Sequence, residues 1–155
     1  MKLILQRAVE EDAQSIIDAR DQSFYDDYVR FGECPGYHIT PEAMRDTIRK
    51  ADVYRILVDG KMAGDVSVHQ LSEDGSRWIG CLEIIPEYQN GGIGSEMLRA
   101  VFDRYPETKI WELETPVQNK RNCYFYEKAG FRGIKETVHS ELLTLRTYTY
   151  EKAKP

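Results

Sequence analysis

A glycine-rich loop between a strand and a helix is the feature that most restricts how this chain can fold. The apolar run from Trp78 to Ile85 predicts a strand that Pro86 ends, and the apolar residues of 97–102 recur at helical spacing. The loop between them includes Gln89, Asn90, Gly91, Gly92, Ile93, Gly94 and Ser95. Glycines allow main-chain N–H groups to converge, and the new helix adds its positive end. This geometry predicts a site for a phosphate or pyrophosphate group.

The loop alone leaves the identity of the phosphate ligand open. It lacks the Gly-Lys-Ser/Thr ending of a P-loop, which disfavours ATP and GTP. Glu96 and Met97 follow soon after Gly94, so the GxGxxG dinucleotide fingerprint is incomplete as well. The alternative to a phosphate site is a glycine-rich turn that only reverses the chain.

The apolar spacing around this loop predicts six further strands and three further helices. The strands are expected over 2–7, 53–58, 62–70, 109–115, 131–139 and 142–151, and the helices over 9–23, 41–50 and 119–129. Thr40-Pro41 is a helix start signal, Asp59-Gly60 indicates a hairpin turn, and the segment 24–39 is irregular. An antiparallel meander followed by β-α-β crossovers predicts an α/β (α+β) fold, a mixed sheet with helices on both faces.

Length and composition limit the classes of protein to consider. A chain of 155 residues without repeats or a flexible linker suits a single domain over 1–155. Its formal net charge of −5 argues against nucleic-acid binding. The N-terminus does not have the form of a signal peptide and no run is long enough to span a bilayer, so a cytoplasmic protein is expected. The scattered Cys34, Cys81 and Cys123 predict reduced thiols and no metal site.

A second motif follows further along the chain. Asn119 precedes a helical segment that carries Tyr126, and Gly130-Phe131 begins the next strand. The pattern Gln89-x-x-Gly92-x-Gly94 and this second motif resemble two signatures of the GNAT N-acetyltransferase superfamily. They occur in the same order as in the family. The order of elements resembles the family over essentially the whole chain. Cys123 departs from the family pattern, because a small alanine is common at that position.

The resemblance implies a fold, a co-substrate and a reaction. The implied fold is the GNAT fold, a twisted mixed sheet whose fourth and fifth strands splay apart to admit the pantetheine arm. Acetyl-CoA would give its acetyl group directly to a primary amine in a ternary complex, without a metal or a covalent enzyme intermediate. The resemblance is weakest over 24–50, where the family varies its substrate site. Polyamines, amino acids, antibiotics and peptide N-termini all stay open as acceptors, and dimerisation is common in the family.

The resemblance also implies roles for individual residues. Main-chain amides from Gln89 to Ser95 would hold the CoA pyrophosphate, and an amide at Ile84 or Ile85 would bind the acetyl carbonyl. Tyr126 would give a proton or a hydrogen bond to the CoA sulfur, and Asn119 would contribute to the cofactor site. The nearby basic residues are either ligands of CoA phosphates or exposed helix charges: Lys120, Arg121 and Lys128.

Transfer to an ammonium requires a base, because the amine must first lose a proton. Glu114 is the first candidate: it ends the fifth predicted strand, and a similar Leu-Glu placement occurs in the GNAT branch that acetylates protein N-terminal amines. Glu83, beside the expected acetyl-binding amide, is the alternative, and a water relay that includes Glu112 is a third arrangement. Each role has a structural alternative, with Tyr126 as a core aromatic residue and Glu114 as a solvated carboxylate.

Two further features leave alternatives open. The aromatic and acidic residues of 24–39 either line a pocket for an ammonium group or represent ordinary packing beside a solvated face. The alternatives to an enzyme are a CoA-binding regulatory domain that has lost catalysis and a nucleotide-binding module.

Overall fold

The computed structural model describes residues 1–152. Within that range it contains seven strands and four α-helices, in the predicted order. These are β1 (Leu3–Arg7), α1 (Ala13–Phe31), α2 (Pro41–Lys50), β2 (Asp52–Val58), β3 (Lys61–Gln70), β4 (Arg77–Ile84), α3 (Ile93–Arg104), β5 (Ile110–Pro116), α4 (Lys120–Lys128), β6 (Arg132–Val138) and β7 (Thr144–Glu151). The Thr40 side chain accepts a hydrogen bond from the Ala43 N–H at 3.1 Å, so the predicted start of α2 is confirmed.

The strands form one mixed sheet in the order β1-β2-β3-β4-β5-β7-β6. Only β4 and β5 are parallel neighbours, and their pairing ends after three positions, at Ile79 opposite Leu113. Beyond that point Gly80–Ile84 and Glu114–Pro116 do not pair with each other. The predicted mixed sheet is confirmed, and an opening lies between its fourth and fifth strands.

Helices cover both faces of the sheet. On one face α1 and α2 bury Ile16 and Met44 against Val53 of β2. On the other face α3 and α4 bury a larger cluster that includes Trp111 and Tyr148. Apolar side chains on both faces of the central strands explain this arrangement, because each face can then bury surface under a helix layer.

The first helix is longer than the sequence pattern predicts. Residues 24–31 are helical, which corrects the expectation of an irregular segment over 24–39. Tyr25 and Tyr28 are exposed in this part, so the apolar period that marks the first turns disappears. Gly32 ends the helix with φ 81°, and its N–H donates to the Tyr28 carbonyl. The extension matters because it carries α1 across the open part of the sheet.

A glycine allows the central strands to approach beside the opening. A Cβ atom on Gly64 of β3 would lie 1.9 Å from the Glu83 carbonyl oxygen of β4. Only glycine fits at this position without moving the backbone of one strand. The position of β4 at the opening therefore depends on a residue of the neighbouring strand.

Candidate active site

The end of β4 presents one unpaired main-chain donor to the opening. The Ile85 N–H donates to the Ala63 carbonyl at 2.8 Å, so this amide is engaged with β3. Successive amides of a strand point to opposite sides, and the Ile84 N–H therefore points toward the side on which β5 has separated. The Gln89 side chain donates to the Ile84 carbonyl at 2.8 Å and so fixes this turn of the chain. Of the two candidate amides, Ile84 is the one that is free for a ligand.

The glycine loop leads directly into α3. Asn90 and Gly92 both have left-handed backbone angles, with φ 66° and 78°, and a Cβ atom on Gly92 would meet open space. Glu96 is the first residue whose N–H bonds back to the loop, at the Gly92 carbonyl. The N–H groups from Gly91 to Ser95 have no carbonyl partner within the described residues. These donors and the positive end of a twelve-residue helix fit a phosphate group.

A guanidinium lies beside the same loop. Arg121 of α4 donates to the Gln89 side-chain oxygen at 2.8 Å and to the Asn90 side-chain oxygen at 2.9 Å. Gly94 allows this approach of α3 and α4, because a Cβ atom there would lie 3.1 Å from the Phe125 ring. Arg121 therefore adds a positive charge at the loop, although it is exposed on α4 like Lys120 and Lys128.

The second motif lies at the start and centre of α4. Asn119 caps the helix, since its side-chain oxygen accepts from the Asn122 N–H at 3.0 Å. Its amide group donates to Asp27 of α1 at 2.9 Å, and this bond joins elements on the two faces of the sheet. Burial raises the pKa of Asp27, while the hydrogen bond from Asn119 acts in the opposite direction.

Tyr126 is packed among aromatic rings of the core. Its ring contacts Phe125, Phe131 and Tyr148, and only 6% of the residue is exposed. Its hydroxyl has no hydrogen-bond partner among residues 1–152. Burial raises the pKa of Tyr126, and the nearby Cys81 and Cys123 add to that effect. The phenol therefore stays protonated at neutral pH and is free to donate.

The two candidate bases lie in different environments. Glu83 of β4 is 3% exposed, and its Oε1 atom accepts from the Ser23 hydroxyl of α1 at 2.6 Å. Its Oε2 atom is buried without a partner among the described residues. Glu114 is exposed on β5, and Glu112, on the same face of that strand, is half-buried. Burial, and after it the neighbouring Asp65, raise the pKa of Glu83 well above its ordinary value.

A buried ion pair lies beside Glu83 and was not predicted from the sequence. Arg20 of α1 donates to Asp65 of β3 through Nη2 at 2.7 Å and Nε at 3.1 Å, and both residues are at most 5% exposed. Asp65 stands directly opposite Glu83 in the strand register. The sequence does contain a signal for this pair, because both charged residues stand among apolar ones. Arg20 lies on the apolar face of α1, and Asp65 lies within a strand of buried residues.

Comparison with known proteins agrees with this arrangement. The model of the acetyltransferase (GNAT) family matches residues 6–131. The uncharacterized protein YrkN of Bacillus subtilis (strain 168) is 33% identical over 139 residues, which are 86% of this chain and 75% of YrkN. An acetyltransferase structure from Thermus thermophilus superposes with a TM-score of 0.81 at 16% identity, over 97% of both chains. A GNAT family acetyltransferase from Elizabethkingia anophelis with acetyl-CoA bound has a TM-score of 0.63 at 16% identity, over 72% of this chain and 83% of that one.

The fold and the family match define an acetyltransferase. The chain belongs to the acetyltransferase (GNAT) family, and the predicted fold and enzyme class are confirmed. Within residues 1–152, no three His, Cys, Asp or Glu side chains are grouped in a way that could hold a metal ion. In the same range no helix combines the length and the apolar character needed to cross a membrane.

Proposed function

We propose that this acetyltransferase transfers the acetyl group of acetyl-CoA to a primary amine, of a small molecule or a peptide N-terminus, by direct attack in a ternary complex. The observation that carries the proposal is a pair of groups on β4, where this strand separates from β5. A free main-chain amide and a buried carboxylate oxygen without a partner lie on consecutive residues of β4, Glu83 and Ile84. These two groups supply the oxyanion donor and the base that the reaction requires.

Donor binding is assigned to the loop and its surroundings. The N–H groups from Gly91 to Ser95 would hold the CoA pyrophosphate. The Gln89 N–H is engaged with the Pro86 carbonyl, so Gln89 and Asn90 would contribute through the side chains that bind Arg121. Arg121 would add a charge-assisted contact to a phosphate. The Ile84 N–H would bind the acetyl carbonyl, and Asn119 would keep the start of α4 beside the pantetheine arm. Acetyl-CoA supplies the thioester whose C–S bond is broken.

Glu83 is the better supported base. An amine enters as its ammonium ion, and the Oε2 atom of ionised Glu83 is free to take its proton. A raised pKa improves this carboxylate as a proton acceptor, because basicity increases with pKa. Glu114 is exposed, and a solvated carboxylate in this place is suited to attracting the ammonium group. The proposed roles of the two residues thus differ from the first expectation, in which Glu114 is the base.

Bond changes then follow in order. The neutral amine attacks the acetyl carbon, a C–N bond forms, and the Ile84 N–H stabilises the oxyanion. The C–S bond breaks as the intermediate collapses, and Tyr126 gives its hydroxyl proton to the departing thiolate. The positively charged nitrogen loses its second proton, which returns to Tyr126 through water and leaves a neutral amide. Glu83 releases to solvent the proton that it took from the ammonium, which restores the enzyme.

Replacement of Tyr126 by Phe tests the role of the acid. We expect turnover to fall by about 100-fold, because the ring still packs in the aromatic core but no longer donates a proton. The dissociation constant of acetyl-CoA should change little. Tyr124→Phe is the matched control, since Tyr124 lies on the same helix and is 67% exposed. Unchanged turnover in Tyr126→Phe would remove this residue from the acid role.

The function itself is tested by two measurements on one preparation. We expect calorimetric titration to detect binding of acetyl-CoA, and free-thiol release to depend on the amine added from a panel of polyamines, amino acids, aminoglycosides and short peptides. Binding without release from any amine would favour a CoA-binding regulatory domain. Absence of binding would contradict the assignment of the loop and the proposed function together.

A further inference from the structure

The hydroxyl of Ser23 lies between two oxygen atoms that can each accept its proton. It is 2.6 Å from Glu83 Oε1 and 2.9 Å from the carbonyl oxygen of Ala19, one turn earlier in α1. A serine hydroxyl carries one proton and therefore donates to one of these oxygens at a time. The choice depends on Glu83, because a carboxylate attracts a donor more strongly than a neutral acid does.

The groups around Glu83 leave one of its oxygens free. Asp65 of β3 stands opposite Glu83, but both carboxylate oxygens of Asp65 accept from Arg20 of α1. Cys81 is the titratable neighbour on β4 itself, and burial raises its pKa, so it stays a neutral thiol. Ser23 occupies Oε1 of Glu83, and Oε2 has no partner among the described residues. Oε2 is therefore the buried oxygen of Glu83 that has no donor and can take a proton.

We infer that Ser23 is a positioning residue for the proton transfer: its hydroxyl holds Glu83 with Oε2 free for the acceptor's proton, and it changes its hydrogen-bond acceptor when Glu83 is protonated. This inference rests on the proposed function, in which Glu83 is the base. With Glu83 ionised, Ser23 donates to Oε1. The N–H bond of the ammonium then breaks and an O–H bond forms at Oε2, which leaves a neutral amine and a neutral acid. Ser23 can now donate to the Ala19 carbonyl, so the serine hydroxyl keeps an acceptor.

The inference predicts how the pH dependence changes when the hydroxyl is removed. Ser23 stabilises ionised Glu83 more than protonated Glu83. It therefore lowers the pKa of Glu83, whereas burial and Asp65 raise it. In Ser23→Ala the pKa of Glu83 rises further. We expect the acid limb of the kcat/KM profile to move to higher pH by about half to one unit, with the plateau at high pH within a few-fold of the wild type.

Two matched variants separate this effect from a general disturbance of α1. Ser23→Thr keeps a hydroxyl at the same place and should return the acid limb toward the wild-type pH. Ser15→Ala removes an exposed hydroxyl of the same helix, which donates only to the Asp12 carbonyl at 2.9 Å, and should leave the profile unchanged. An acid limb of Ser23→Ala at the wild-type pH would overturn the inference. A loss of activity that is equal at every pH would also overturn it.

A second readout does not depend on turnover. Titration of ¹³C-labelled glutamate carboxyl groups by NMR, with Glu83→Gln to assign the resonance, measures the pKa of Glu83 directly. We expect a higher value in Ser23→Ala than in the wild type and in Ser23→Thr, and equal values would contradict the inference. Should the wild type release no thiol with any amine, the proposed function fails even if this shift is present. The two claims can therefore fail separately.

Discussion

Glu83→Gln is expected to lower kcat by about 100- to 10,000-fold, the range that a positioned base contributes. Glutamine has nearly the same shape, and its side-chain oxygen can still accept from Ser23, so the packing of β4 is preserved. It cannot take a proton from the acceptor ammonium. The dissociation constant of acetyl-CoA should stay within a few-fold of the wild type, because the loop that is proposed to hold the phosphates is unchanged. Thiol release at saturating acetyl-CoA, with the best amine of the panel, measures the loss.

Two further measurements show whether the loss of activity is specific to Glu83. Glu114→Gln removes the exposed carboxylate on the other side of the opening, and we expect it to reduce kcat/KM only a few-fold. The residual activity of Glu83→Gln should rise steadily with pH, because more of the amine then arrives already neutral. A larger loss in Glu114→Gln than in Glu83→Gln would return the role of the base to Glu114.

The glycine loop is the part of the candidate site whose local structure could be predicted from the sequence. Its glycines, the proline before it and the apolar period after it are local signals, and the structure places each of them as expected. The same holds for the Thr40 cap of α2 and for the Asp59-Gly60 turn, in which both residues have positive φ angles. Such features depend on residues that are close in the sequence, so no tertiary information is needed to find them.

The choice between Glu83 and Glu114 could not be made from the sequence. Both are glutamates near the ends of neighbouring strands, and what distinguishes them is the helix above each strand. Arg20 and Ser23 of α1 lie beside Glu83, and both fall within the helix that the sequence predicts, but the sequence does not indicate which strand that helix covers. Burial of this kind depends on tertiary packing, which overrides local propensity.

The Arg20–Asp65 pair gives the largest expected effect on stability. Asp65→Asn should lower the free energy of unfolding by about 3–5 kcal/mol, because it leaves a guanidinium buried without its counter-charge. The midpoint of thermal unfolding should fall by roughly 2–4 °C for each kcal/mol in a chain of this size. Urea unfolding and thermal unfolding at neutral pH measure both quantities.

An exposed pair of similar geometry is the control for this prediction. Arg49 and Glu10 are 2.6 Å apart with about half of each side chain exposed, and Glu10→Gln should change the free energy of unfolding by less than about 1 kcal/mol. The double variant Arg20→Met/Asp65→Leu removes both buried charges and should recover most of the loss in Asp65→Asn. A stable Asp65→Asn protein would mean that Arg20 has found another anion. Glu83 is the nearest candidate, because the charge of Arg20 already lowers its pKa. The acid limb of the pH profile moves to lower pH in either case, because Asp65→Asn also removes the neighbouring carboxylate that raises the pKa of Glu83. The free energy of unfolding is therefore the quantity that distinguishes a broken ion pair from an exchanged one.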